Sequence, residues 1–113
     1  MTTSLTPLPA RAVLDVRGPD AVSFLQGLVT NDVTRVAPGT PVWAGLLSPQ
    51  GKYLIDFLIH AHPEGDGFLL DTEAGRADEL GRRLLMYRLR AKVEITLRPD
   101  LAVYVAWGPG PLP

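Results

Sequence analysis

The chain has 113 residues, 46% of them hydrophobic, and a formal net charge of -1. That is one domain's length with enough apolar residues for a core, and too little charge to draw it to nucleic acid or to an acidic membrane surface. It contains no cysteine, which excludes disulfides, thiolate metal sites and a cysteine nucleophile, and fits a reducing compartment.

The start, MTTSLTPLPARA, lacks the basic residues and apolar run of a secretory signal, and no window approaches the roughly 20 apolar residues that cross a bilayer. The expectation is a soluble, cytoplasmic protein. ARAVLDV (10–16) alternates as a strand, with Ala12 and Leu14 on one face and Val13 and Asp15 on the other. Gly18-Pro19-Asp20 opens a helix: proline suits the first helical position, and the aspartate faces the positive end of the dipole. Ala21, Phe24, Leu25 and Leu28 form its buried stripe. Gly27 and Thr30-Asn31-Asp32 end it, and residues 35–41 form a loop.

VWAGLLS (42–48) and KYLIDFLIHAH (52–62) are predicted strands. Ser48-Pro49-Gln50-Gly51 between them suits a type I turn followed by a left-handed glycine, a three-residue hairpin loop with a bulge. EGDG (64–67) is a second turn and FLLDT (68–72) a third strand. Thr72 caps a helix running to about Arg90, with Ala77, Leu80, Leu84 and Tyr87 on its buried side. KVEITL (92–97) and LAVYVAW (101–107) close the pattern. The order β-α-β-β-β-α-β-β predicts an α+β fold: a ferredoxin-like mixed or antiparallel sheet with an extra β-hairpin and two helices on one face. Trp107-Gly108-Pro109 echoes Arg17-Gly18-Pro19, each after a strand. The repeat suggests one unit over residues 1–106 and the start of a second, related one at 107–113.

Within the long strand, Ile55, Phe57 and Ile59 alternate toward a core, while Leu54, Asp56, Leu58, His60 and His62 share the other face. Pairing Ser48 with Lys52 puts Asp56 opposite Ala44, over a hollow walled by Leu46, Leu54, Leu58 and a neighbouring Trp43 or Val42. A carboxylate there is desolvated and ready for a cationic or N–H-rich ligand. The competing reading has Asp56 facing water, or paired with an arginine of 82–90. His60 and His62 have a chelating spacing, with Asp56 as the one third ligand in sequence. Thr30-Asn31-Asp32 either satisfies a helix end or lines a pocket lip. Arg82, Arg83, Arg88 and Arg90 could meet phosphates, yet they suit a solvated helix end, so neither metal nor nucleic acid is expected.

FLQGLVTNDV (24–33), LLSPQGKYLIDFLI (46–59) and YRLRAKVEI (87–95), in that order, resemble the N-terminal part of the YgfZ family of folate-binding proteins across about residues 10–108. That family is related to the aminomethyltransferase T-protein of glycine cleavage. The resemblance implies a tetrahydrofolate-binding fold and a role in assembly or repair of iron–sulfur enzymes, with client or assembly proteins as partners. An acid after the hairpin glycine lies near the reactive folate nitrogens in T-proteins, and Asp56 matches it. Asp56 is therefore the candidate catalytic residue and folate contact, with Asn31 and Asp32 as further folate contacts. T-proteins carry adjacent acids here, whereas Ile55 precedes a single Asp56. This favours a folate-binding accessory protein over the alternative, an aminomethyltransferase passing a one-carbon unit to tetrahydrofolate. The family's Lys-Gly-Cys-Tyr-x-Gly-Gln-Glu motif is absent, so the chain is expected to form one wall of a folate site.

Overall fold

A computed structural model describes residues 4–48 and 50–107. Its strands are β1 (Ser4–Pro7), β2 (Arg11–Arg17), β3 (Val42–Leu47), β4 (Tyr53–Ala61), β5 (Gly67–Glu73), β6 (Glu94–Leu97) and β7 (Tyr104–Trp107). Helix α1 (Ala21–Gln26) follows β2, and α2 (Ala77–Arg88) follows β5. Five strands form one antiparallel sheet in the order β3-β4-β5-β2-β6. Without β3, that order is the ferredoxin-like one, and β3 is the added hairpin strand on its edge.

Alternation decides which face is dry. Leu14 and Val16 of β2, Ala44 and Leu46 of β3, Ile55, Phe57 and Ile59 of β4, and Phe68 and Leu70 of β5 form one continuous core. Phe24 and Leu25 of α1 and Leu80 and Leu84 of α2 complete it, so both helices lie on the same side of the sheet. Each buried leucine or phenylalanine there contributes about 1.5–3 kcal/mol over leaving it in water.

Several elements differ from the sequence reading for local reasons. Helix α1 starts at Ala21, because Asp20 turns away to Lys92: its carboxylate accepts the Lys92 N–H at 2.8 Å and caps no helical N–H. It ends at Gln26, because Leu28 and Val29 leave it to pair with the edge of β3, where the Leu47 N–H donates to the Leu28 carbonyl at 3.2 Å. Thr72 does not cap α2. It is fully buried within β5 opposite Ala12, its hydroxyl donates to the Asp56 carbonyl at 2.9 Å, and a 3-10 turn at Ala74–Arg76 intervenes before the helix.

The last strand does not close the main sheet. β7 pairs with β1, a strand the sequence reading did not place, in a separate two-stranded ribbon. The segment before it lies over the sheet face away from the helices, where Leu101 and Val103 share a cleft of about 350 Å³ with Val13, His60, Leu69 and Asp71. Strand β7 runs through Trp107. Residues 108–113, where a second related unit was expected to open, lie outside the described residues. Among the described residues, no helix is long and apolar enough to cross a membrane.

Candidate functional site

The β3–β4 hairpin positions the candidate acid. The Ser48 N–H donates to the Lys52 carbonyl at 2.8 Å, the Gly51 N–H to the Ser48 carbonyl at 2.9 Å, and Gly51 sits at φ +81, as the predicted turn requires. Pro49 lies outside the described residues. Leu47 pairs with Tyr53, but Leu46 pairs with Ile55, so Leu54 is an extra residue in a bulge. This corrects the expected register: Asp56 stands opposite Gly45, and Ala44 faces Phe57 in the core. Without the bulge, Leu46 would oppose Leu54 and Ile55 would oppose Gly45, and the core would lose the Leu46–Ile55 pair.

Asp56 is half-buried on the open face, between Leu54 and Leu58 and over the one neighbour that has no side chain. Among the described residues its carboxylate makes no hydrogen bond and no ion pair. The arginines of α2 lie across the sheet from it, and among the described residues no arginine of 82–90 pairs with it. Trp43, opposite Leu58 on the same face, is 51% exposed. Asp71, also opposite Leu58, is buried and receives Arg11, whose Nε lies 2.7 Å from Oδ1. The Arg11 guanidinium in turn sits 6.0 Å from the Trp43 ring centroid. Acid, flat aromatic and paired arginine thus share one sheet face, with Asp56 the acid left without a partner.

Asn31 and Asp32 sit on the far side of β3 and are engaged within the chain. The Asn31 side-chain amide donates to the Trp43 carbonyl at 2.9 Å, and its oxygen accepts the Asp32 N–H. The Thr30 hydroxyl accepts the Gly45 N–H at 2.8 Å. This run satisfies the free edge of the strand that carries Gly45. Asp32 caps the 3-10 turn at Val33–Arg35 by accepting from the Thr34 N–H and hydroxyl, and the hydroxyl bond above all holds its carboxyl below the usual range. A lowered acid stabilises the fold at pH values above its unfolded-chain pKa, and that contribution fades as pH falls through the folded value. Thr34→Val is therefore expected to move the Asp32 titration midpoint upward in an NMR pH titration. An unmoved midpoint would contradict this cap.

His60 and His62 do not converge. His62 is buried. Its Nδ1 accepts the Glu64 N–H at 3.1 Å, so Nε2 carries the hydrogen that reaches Asp15 Oδ2 at 3.0 Å. The same Asp15 oxygen accepts from Arg98 at 2.8 Å, and Arg98 also grips Asp100. These two acids push the guanidinium above its already high value. His60 is half-buried at the cleft beneath Leu101. Among the described residues, no three histidines, aspartates or glutamates gather as a metal site.

The sequence points to Trp43 or Val42 as a neighbouring wall of the hollow but does not by itself place Arg11 and Asp71 beside it. The alternation of FLLDT already put Leu69 and Asp71 on one face, and the EGDG turn would have set that face beside Leu58 and His60.

Residues 10–110 match the family model described as the GCVT N-terminal domain. Among curated proteins, the chain is 36% identical over 110 residues to the iron-sulfur cluster assembly factor IBA57 homolog, mitochondrial, of Pyricularia oryzae, covering 94% of this chain and 28% of that protein. It is 37% identical to the human iron-sulfur cluster assembly factor IBA57, mitochondrial, over 86% of this chain and 30% of that protein. The chain thus spans under a third of these relatives. Among solved structures, the fold matches a glycine cleavage system aminomethyltransferase T from Bartonella henselae with a TM-score of 0.72 and 22% identity, over 85% of this chain and 26% of that one. The expectation of a cytoplasmic protein is corrected by these relatives, which are mitochondrial by name. With the model match running over almost its whole length, this chain belongs to the GCVT N-terminal domain family.

Proposed function

We propose that the chain supplies one wall of a tetrahydrofolate site in a mitochondrial protein that supports iron–sulfur cluster assembly. The similarity to iron–sulfur cluster assembly factors supports the cellular role. The observation that carries the site is the Asp56 carboxylate, half-buried over Gly45 on an open sheet face and without a partner among the described residues. A half-dry carboxylate that lacks a donor is completed by a ligand bearing N–H groups, and the neighbouring Trp43 ring offers a flat surface for a flat heterocycle. Asn31 and Asp32 flank the same strand edge and are secondary contacts in this reading.

Titration of tetrahydrofolate into a longer protein carrying this domain tests the assignment. Asp56→Asn keeps the shape, removes the charge and is expected to weaken binding about tenfold, the scale of one charge-assisted hydrogen bond. Equal affinity in both would remove Asp56 from the site. If the protein were instead an aminomethyltransferase, a reconstituted glycine-cleavage assay would yield methylenetetrahydrofolate. The accessory reading predicts none.

A further inference from the structure

Helix α2 presents an unusual outer face. Its inner side buries Ala77, Leu80 and Leu84. Its outer side carries Arg82, Leu85, Met86 and Leu89 at helical spacing, and the three apolar side chains are 45%, 66% and 89% exposed. Scattered exposed apolar residues need no explanation, but two leucines and a methionine side by side on a single face do. The helix ends at Arg88, and the following Leu89 adopts φ 45 and ψ -109, a strained conformation for a residue with a side chain. This holds Arg88 and Arg90 on either side of the exposed leucine.

Beside that end lies a cleft of about 540 Å³ whose walls include Arg17, Arg88, Arg90 and Lys92 against two acids, Asp66 and Glu94. Arg17 is tied to Glu64 at 3.0 Å. Among the described residues, Arg88, Arg90 and Lys92 have no ion-pair partner. The helix dipole accounts for a basic residue in its last turn, but not for three cations next to a bare apolar stripe.

We propose that this face of α2, together with the basic cleft at its end, docks an acidic amphipathic segment of a partner protein. Its carboxylates would meet Arg88, Arg90 and Lys92, and its apolar side chains Leu85, Met86 and Leu89. Charge complementarity sets the sign of the partner, and the adjoining apolar stripe sets its amphipathic character. The patch has no aromatic platform for bases, which argues against single-stranded RNA. The other side of α2 is committed to the core and the chain's net charge is -1, which disfavours insertion into an anionic bilayer. The surface is independent of the folate reading, because it lies on the opposite side of the sheet from Asp56.

The test uses the 113-residue chain, isotope-labelled for NMR, and a short synthetic peptide with leucine at helical spacing and glutamate elsewhere. Amide shifts confined to residues 82–92 and the neighbouring Arg17–Gly18 turn are expected. Binding should weaken about tenfold in Met86→Ser/Leu89→Ser and again in Arg88→Glu/Arg90→Glu, with near-UV circular dichroism unchanged. Shifts elsewhere or none would overturn the proposal. So would oligoglutamate binding as well as the amphipathic peptide, which would reduce the site to charge alone. Tighter binding of oligouridylate or of phosphatidylserine vesicles through the same residues would replace the partner with RNA or membrane. Should either variant fail to fold, the shift map on the unaltered chain decides the matter.

Discussion

Gly18→Ala is expected to cost the fold about 3 kcal/mol or more, a large part of what a domain of this size holds in reserve. A methyl group at Gly18 would lie 2.2 Å from the Lys92 carbonyl oxygen and 2.9 Å from the Val93 Cα, and both are backbone atoms that cannot step aside alone. The residue also sits at φ +140, where a side chain is strained in any surroundings. The contact matters because Gly18 lets the chain leaving β2 run against the chain entering β6. Moving either one displaces the Asp20–Lys92 hydrogen bonds and the start of α1 together. Gly51→Ala is the matched comparison. Gly51 has φ +81 but nothing among the described residues within 4 Å of the added methyl group, so its cost is backbone strain, about 1 kcal/mol. Urea unfolding of the two variants should show the gap, and equal midpoints would mean that the backbone at Gly18 yields freely.

Asp15→Ala carries the second large effect. Asp15 is 5% exposed, and a single oxygen accepts from both His62 and Arg98. Its other oxygen, Oδ1, is buried with no partner among the described residues. Truncation leaves the His62 Nε2–H buried without an acceptor and takes from Arg98 one of its two acids, and about 3 kcal/mol of destabilisation is expected. Replacing Asp15 and His62 by leucine together removes both polar groups and should cost less than the sum of the single changes by more than about 1 kcal/mol. Strict additivity in that cycle would show that the two side chains do not depend on each other. The pair also fixes the path of the chain after β6, since Arg98 is drawn onto the open sheet face before the turn toward β7.

Much of the fold was legible because its elements obey short-range rules. The alternation of Ile55, Phe57 and Ile59, the turn at Ser48–Gly51 and the stripe of Leu80 and Leu84 each reflect a local period or a local φ requirement. What escaped was decided at longer range. Thr72 reads as a helix cap from its neighbours, yet the ladder with β2 holds it in a strand. Ser4–Pro7 has no strand pattern of its own and becomes one by pairing with β7 about a hundred residues later. The register at Asp56 depended on a bulge at Leu54 that no dipeptide announces, and that arises because Leu46 and Ile55 must both reach the core. The candidate site was partly legible for the same reason. An acid amid leucines is visible in sequence, whereas the Arg11–Asp71 pair on the same sheet face joins residues 60 apart and is not. The network of Asp15, His62 and Arg98 spans 83 residues and is visible only in the folded chain.

In the proposed site Asp56, with Trp43 beside it, faces a folate on the open side of the sheet. Trp43 fluorescence in the longer protein measures this most directly, with Trp43→Phe identifying the signal from that ring. Tetrahydrofolate should quench Trp43 saturably, and Asp56→Asn should shift the midpoint to about tenfold higher ligand. Quenching that is absent, or whose midpoint is unchanged by Asp56→Asn, would contradict the assignment.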